Sequence, residues 1–244
     1  MARRADASIF WLDQARVQPR PLGLDLPALL FGRALPATFY LMIVLVRLQE
    51  LARFVVQPRV QGDWLLTTGF YAACVHKVAA IAFLSMVVAC FVIRLNPVRA
   101  ARDPLQIGVA ILGSFLMTLV AMAPQAPTAP IFTVISALIM LAGSVFTAIA
   151  LRFLGRSFSI TPEARQLVTG GLYSVVRHPM YLGEMLGSAG LLLQALSPFT
   201  MIVFIAFCAL QVKRMEYEEK VLQQVFPDYT LYRMKTARLI PKVY

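Results

Sequence analysis

Apolar residues fill six long stretches of the chain, near residues 37–56, 75–93, 107–123, 131–151, 181–197 and 199–213. Each approaches the roughly 20 residues a helix needs to cross a bilayer. Most are apolar on all sides rather than along one stripe, which suits helices surrounded by lipid and by each other. The first stretch carries Arg47, Glu50 and Arg53 in its second half, so its helix alternatively begins near Ala28 and bends at Pro36. The link from Pro124 to Pro130 has no charge, and the step at Ser197-Pro198 is nearly a direct reversal. Connections this short join antiparallel helices. The pattern predicts an all-α fold, a polytopic integral membrane bundle of about six transmembrane helices.

Composition sharpens this picture. Of 244 residues, 59% are apolar and 14% charged, against roughly 25% charged in soluble domains. With a mean hydropathy of +0.71, disorder, a coiled coil and most soluble folds are excluded. The net charge of +11 would suggest nucleic acid in a soluble protein. Here the basic residues are thinly spread between apolar spans, which argues against nucleic acid and for anionic membrane lipid as the partner. Drawing six helices puts 19 of the 23 Lys and Arg residues on one side. The positive-inside rule then places both termini in the cytoplasm. Cys74, Cys90 and Cys208 lie in or beside apolar runs without CxxC spacing and read as small apolar residues. Met1 to Arg33 is basic and lacks a continuous apolar core ending in a cleavage site, so no removable signal is expected. Residues 1–150 hold a basic N-terminal segment and hydrophobic spans, whereas residues 151–244 are rich in polar and aromatic side chains. Chemistry is expected in this second part, on the cytoplasmic side.

Two clusters there stand out. The first reads LGRSFSITPEARQLVTGGLYSVVRHPMYLG from Leu154 to Gly183. Thr169-Gly170-Gly171 signals a turn, and Pro179 suits the first position of a helix. The free N–H groups of that first turn, with Arg177 and His178 beside them, favour a carboxylate or phosphate. The same residues also suit an interfacial anchor, with Arg177 and His178 snorkelling and Tyr173 and Tyr181 in an aromatic belt. Gly183, Gly187 and Gly190 form a small-residue stripe for close helix packing, and Glu184 is expected in the first turn, where the helix dipole favours it. The second cluster is Lys213-Arg214-Met215-Glu216-Tyr217-Glu218-Glu219. In a continuous helix Arg214 and Glu218 share a face, with Glu219 rotated about 100° away. That cluster equally suits a solvated amphipathic tail with a surface ion pair. Tyr229 and Tyr232 beside basic residues favour a tail packed back onto the protein. His76-Lys77 is expected at a membrane interface. Two histidines without acid–His spacing offer no metal site, and no GxSxG, P-loop or GxGxxG is present.

Taken together, Gly171-x-Tyr173-x-x-x-Arg177-His178-Pro179-x-Tyr181-x-Gly183, a helical hairpin, and Arg214-x-x-x-Glu218-Glu219-x-x-Leu222 followed by Phe226, Tyr229, Tyr232 and Ile240-Pro241 resemble the isoprenylcysteine carboxyl methyltransferase family. That family sits in a wider group with phospholipid N-methyltransferases, and the resemblance covers roughly residues 150–244. It implies S-adenosylmethionine as cofactor, carboxyl methylation of a prenylated cysteine, and a lipophilic or lipidated substrate entering from the membrane. By the same resemblance, cofactor contacts fall on Arg165, Gln166, Leu167, Val168, Tyr173, His178, Pro179, Met180, Tyr181 and Glu218, and Arg214 is the catalytic, substrate-facing arginine. This chain departs from the family at Arg165, where histidine is frequent. The chemistry is compatible with these roles. A helix N-terminus can take the cofactor carboxylate, and Glu218 its ammonium. An acceptor carboxylate is already ionised near neutral pH and needs no general base. An amine headgroup is the alternative acceptor. A membrane sterol-type reductase using NADPH is the alternative enzyme class. No paired broken helices or inverted repeat support a transporter.

The charge split makes a direct topological prediction. Reporters fused at Gln125 and at Ser197 should both read as non-cytoplasmic, and a cytoplasmic signal at either would overturn the six-span arrangement.

Overall fold

The computed structural model describes residues 30–56, 64–123 and 130–241. A π-helical turn, Leu30–Ala34, runs into α1, Leu35–Val56, and α2 follows as Trp64–Ile93. Then come α3, Pro104–Phe115, a short α4, Thr118–Met122, and α5, Pro130–Leu154. A 3₁₀ turn at Gly155–Ser157 leads into a loop, and a second at Gly171–Ser174 precedes α6, Pro179–Gln194. The chain ends with α7, Pro198–Val225, and α8, Tyr229–Lys235.

Among the described residues, four stretches are helical, long and apolar enough to cross a membrane: Gly69–Ile93, Pro104–Ala121, Ile131–Ser157 and Pro198–Val225. This is a mostly helical, multi-pass membrane architecture. The expected start near Ala28 lies outside the described residues, as does most of the Pro124–Pro130 link; Pro36 sits within the first turn of α1 without breaking it. The third apolar run is interrupted by a turn at Leu116-Met117 rather than being one helix. The sixth extends a dozen residues beyond its apolar part, because the helical backbone continues where the side chains turn polar. Ser197 caps α7 reciprocally with Thr200, and Pro198 occupies the first turn, which fixes the reversal from α6.

Helices α5 and α6 make the most extensive contact in the molecule, and the small-residue stripe explains it. A Cβ on Gly143 would lie 2.3 Å from the Gly187 nitrogen, one on Gly183 2.3 Å from Thr147 Oγ1, and one on Gly190 2.8 Å from the Met140 nitrogen. The backbones therefore touch, and Ser136 Oγ donates across the seam to the Gly190 carbonyl at 2.7 Å. Such close approach supplies the dispersion contacts that hold helices together in lipid.

The loop after α5 is tied to the loop after α2. Leu95 N–H donates to the Arg156 carbonyl at 2.9 Å, Val98 to Ala164 at 2.8 Å and Ala101 to Pro162 at 2.9 Å. A two-residue antiparallel ladder, β1 (Arg99–Ala100) with β2 (Glu163–Ala164), completes the seam. A core of Val87, Cys90, Phe91, Ala150, Leu151, Phe158 and Met180 joins α2, α5, this loop and the start of α6. These contacts make a frame on which the polar end of α7 rests.

Gly143 and Gly187 should respond unequally to alanine. Gly143→Ala drives a methyl into the α6 backbone and should cost about 1–3 kcal/mol, while a Cβ on Gly187 meets nothing closer than 3.9 Å and should be neutral or slightly stabilising. Equal thermal unfolding of the two variants in detergent would show that the helices are not seated this closely.

Candidate functional site

The site grows from one glycine. Gly171 adopts φ +60°, and a Cβ there would lie 2.3 Å from the Phe153 ring, so both backbone and packing require glycine. The 3₁₀ turn it opens buries Tyr173, and the chain then reaches His178, which precedes Pro179 at the head of α6. The final segment of the chain pairs beside it: Arg177 N–H donates to the Ala237 carbonyl at 2.8 Å and His178 N–H to Arg238 at 3.1 Å.

Glu219 locks this arrangement. Its carboxylate accepts from Arg177 Nε at 3.0 Å, Arg238 Nε at 3.1 Å and Arg238 Nη2 at 3.0 Å. His178 Nε2 lies 3.0 Å from the same carboxylate, and an ionised carboxylate can only accept, so Nε2 carries the proton. Arg177 also donates to the carbonyls of Arg233, at 3.0 Å, and Thr236. One buried charge thus joins α6, α7 and the C-terminal segment.

Between these parts lie two adjoining hollows of about 390 and 450 Å³, counting space open to solvent. Leu154, Ser157, Glu163, Tyr173, Arg177, His178 and Glu218 wall both. Ser159, Thr161, Met180 and Tyr181 complete one; Arg165, Gln166, Leu167, Val168, Leu222, Tyr229 and Tyr232 complete the other. Among the described residues, four buried side-chain polar atoms have no hydrogen-bond partner: Ser159 Oγ, Arg165 Nε, Tyr229 Oη and Arg214 Nε. Ser159, Arg165 and Tyr229 all belong to the cavity wall. Buried polar atoms are rarely left unpaired, so this wall is suited to a polar ligand. Burial raises the Tyr173 phenol well above its usual range, with the Glu218 charge adding to it; burial likewise raises Tyr229 and Tyr232. These hydroxyls stay protonated, and Tyr232 donates to the Tyr173 carbonyl at 2.6 Å.

Of the ten positions expected to contact a cofactor, nine face this cavity, and Pro179 is buried at the head of α6 beside it. Gln166 is exposed and Leu167 also packs on the cluster around Val221, Phe226 and Tyr229. Arg165 is partly committed elsewhere: it donates to the Leu95 carbonyl and to Glu163, and burial lowers the pKa of its guanidinium to about 10. Glu218 accepts from Tyr181 Oη at 2.9 Å, and α7 turns Glu219 away from it, as the 100° step requires.

Arg214 is not part of the cavity wall. Its guanidinium lies over the Tyr181 ring, 4.9 Å from the centroid, donates to Gln211 Oε1 at 2.7 Å and sits 3.8 Å from Glu184. It makes no ion pair with Glu218 in the described residues, because Gln211 and Glu184 hold it on the α3 and α6 side. Glu184 is in the second turn of α6 rather than the first; its carboxylate accepts from Gln211 Nε2 at 2.9 Å instead of facing the helix dipole.

Ser157, Ser159, Thr161 and Glu163 were not singled out from the sequence, yet all line the cavity. Their spacing is every second residue, alternating with Phe158, Ile160 and Pro162, of which Phe158 and Ile160 pack into the core. That two-residue period in SFSITPE was the available signal. Glu219 was missed for a different reason: its partners Arg177, His178 and Arg238 are distant in sequence.

Part of the chain is similar to known proteins. The phospholipid methyltransferase family model matches residues 129–229. A protein-S-isoprenylcysteine O-methyltransferase of Saccharomyces cerevisiae is 33% identical over 116 residues, covering 45% of this chain and 48% of that protein. Protein-S-isoprenylcysteine O-methyltransferase B of Arabidopsis thaliana is 31% identical over 108 residues, 41% of this chain and 55% of the relative. The cobalt-zinc-cadmium resistance protein CzcN of Cupriavidus metallidurans is 32% identical over 79 residues, 32% of this chain and 36% of the relative. The chain thus spans about half the length, or less, of these curated relatives. The resemblance to isoprenylcysteine methyltransferases and their phospholipid methyltransferase relatives is borne out.

The ionic lock predicts a stability effect. Glu219→Gln leaves Arg177 and Arg238 buried without their counter-charge and should destabilise the fold by about 3 kcal/mol. Glu218→Gln, which loses one tyrosine contact, should cost about 1 kcal/mol. Unfolding midpoints of the two variants that coincide would remove Glu219 as the lock.

Proposed function

We propose that this chain is an S-adenosylmethionine-dependent membrane methyltransferase that methylates the carboxylate of an isoprenylcysteine-like or other lipophilic acceptor. The observation that supports this most is the pairing of a polar cavity, three of whose buried polar atoms lack protein partners, with a buried arginine one aromatic ring away. A zwitterionic cofactor with a nucleoside fits such a wall. Glu218 would hold its ammonium, the N–H groups after His178 and Pro179 its carboxylate, and Arg165, Gln166, Leu167, Val168, Tyr173, Met180 and Tyr181 the remainder. When bound, it supplies a methyl group on a sulfonium.

Arg214 would aim the acceptor. Its Nε has no partner among the described residues, and its bond to the Ile160 carbonyl is long, at 3.4 Å. It therefore keeps donors for a carboxylate, while Gln211 fixes the orientation. The sulfonium methyl would pass to an ionised acceptor carboxylate aimed by Arg214, the cofactor leaving as a neutral thioether. Opposite charges would cancel and no proton would need to move, since the acceptor carboxylate is already ionised near neutral pH. Alignment and exclusion of water supply the acceleration.

In the proposed topology residues 1–150 are membrane spans with a basic N-terminal segment, residues 151–244 form the catalytic region, α1 and α6 complete six crossings, and both termini are cytoplasmic. At 16 residues, α6 reaches only about 24 Å, less than a bilayer core of about 30 Å. Its N-terminus would lie recessed toward acceptors held in the membrane. A second reading, methylation of an amine headgroup, is favoured by Glu184, whose carboxylate beside Arg214 could attract a cation.

Titration of the purified protein should show binding of S-adenosylmethionine and not of NADPH; the reverse would indicate a sterol-type reductase. Methyl transfer should reach a prenylcysteine analogue and not phosphatidylethanolamine, and the opposite preference would establish the amine reading. Glu218→Gln should weaken S-adenosylmethionine about tenfold or more. Arg214→Lys, which keeps charge but loses the planar fork, should leave cofactor affinity nearly unchanged and lower turnover roughly ten- to a hundredfold. Near-normal turnover in monodisperse Arg214→Lys and Arg214→Ala would remove Arg214 from the active site.

A further inference from the structure

A second polar cluster lies where α2 leaves the membrane. The apolar span ends at Ile93, and Arg94 follows it, largely buried, with its guanidinium 5.3 Å from the centroid of the Phe91 ring. Arg33, in the π-helical turn before α1, donates to Asn96 Oδ1 at 3.1 Å. Arg165 reaches the same loop through the Leu95 carbonyl, and Arg156 Nε donates to the Ile93 carbonyl at 3.1 Å. Arg33 and Arg94 both act as like charges on Arg165, and Arg33 acts so on Arg94.

The negative charge available does not balance this. Glu163 is the one carboxylate acting on both Arg94 and Arg165, and its oxygens are taken by Arg165 and, at 2.9 Å, by Thr161. The C-terminal end of α2 contributes about half a negative charge, and its Ile93 carbonyl is already bonded. Among the described residues, four guanidinia therefore face about one and a half negative charges. Among the described residues Arg94 has a ring contact with Phe91 and no hydrogen bond or ion pair, which leaves its guanidinium donors for an outside anion.

We propose that Arg33 and Arg94, backed by Arg165, bind the phosphate group of an anionic membrane lipid at the end of α2. A guanidinium pairs with phosphate in a bidentate fork, and this cluster stands at headgroup depth, directly beyond a membrane span. Val92 and Ile93 on α2 and Leu30 and Leu35 beside Arg33 are all exposed, leaving apolar surface for acyl chains next to the basic pair. The site is separate from the proposed cofactor cavity and joins it only through Arg165 and Glu163, which stand in the wall of both.

The test compares lipid retention by the whole protein, purified from nanodiscs of phosphatidylcholine doped with phosphatidylglycerol and read by native mass spectrometry. The wild type should retain phosphatidylglycerol in preference to phosphatidylcholine. Arg94→Gln should lower that retention at least about tenfold, Arg33→Gln should lower it less, and Arg94→Lys should keep most of it. Arg102→Gln, an exposed basic residue of the same loop, should behave as wild type. Equal retention by Arg94→Gln and Arg102→Gln would overturn the site, and should Arg94→Gln fail to fold, Arg33→Gln against Arg102→Gln decides. If inorganic phosphate raises the unfolding temperature through Arg94 as much as phosphatidylglycerol does, the occupant is free phosphate and the lipid assignment is wrong.

Discussion

The carboxylate of Glu219 is the constraint on which the polar half of this molecule depends. Arg177, His178 and Arg238 come from two chain segments that share no helix, and each is within hydrogen-bond distance of it. A buried carboxylate without such partners would be expensive, and so would the two arginines without the carboxylate. The cluster is therefore tolerable only as a whole. It fixes His178, and with it the start of α6, and it holds the C-terminal segment over the turn containing Tyr173. Without it the wall formed by Tyr173, Tyr229 and Tyr232 would have no fixed relation to α6.

A second constraint acts from the membrane side. The glycine contacts between α5 and α6 bring two backbones together, leaving the loop after α5 little freedom in where it begins. That loop is then held by Leu95, Val98 and Ala101 of the preceding connection. With Phe158 and Ile160 packed inward, Ser157, Ser159, Thr161 and Glu163 are turned to the cavity by the alternation of the chain. The polar wall is a consequence of apolar anchoring on its other side.

The legible parts of the sequence were those whose physics is local. Apolar run length located four of the six expected spans, Pro179 and Ser197-Pro198 marked helix starts, and the glycine stripe announced close packing, all because each depends on neighbours within one helix. The family resemblance around His178 and Glu218, rather than any local spacing, named residues that share the cavity. Helix ends in the middle of polar sequence were less legible: α7 continues well past its apolar run because a helical backbone is indifferent to where side-chain polarity changes. What remained hidden was long-range pairing. Glu219 reads as a rotated neighbour of Glu218 until Arg177 and Arg238 arrive from elsewhere, and nothing near Arg165 in sequence announces its bond to the Leu95 carbonyl.

Helix α7 carries the argument from membrane to chemistry. Gln211 and Arg214 lie on its inner part, against α3 and α6, and Glu218 lies one turn further on, in the cavity wall. Four residues along a helix rise about 6 Å, the scale of one aromatic ring, and Tyr181 fills that interval by touching both: its ring carries Arg214 and its hydroxyl binds Glu218. On the proposed reading, an acceptor anchored in the bilayer meets Arg214 without leaving its lipid environment, and a water-soluble methyl donor meets Glu218 without entering it. Two reactants of opposite solubility could then approach within reacting distance across Tyr181, with neither transferred into the other's solvent. A continuous helix is well suited to this, because its own hydrogen bonds satisfy the backbone at every depth and leave the side chains alone to mark where lipid ends and the polar site begins.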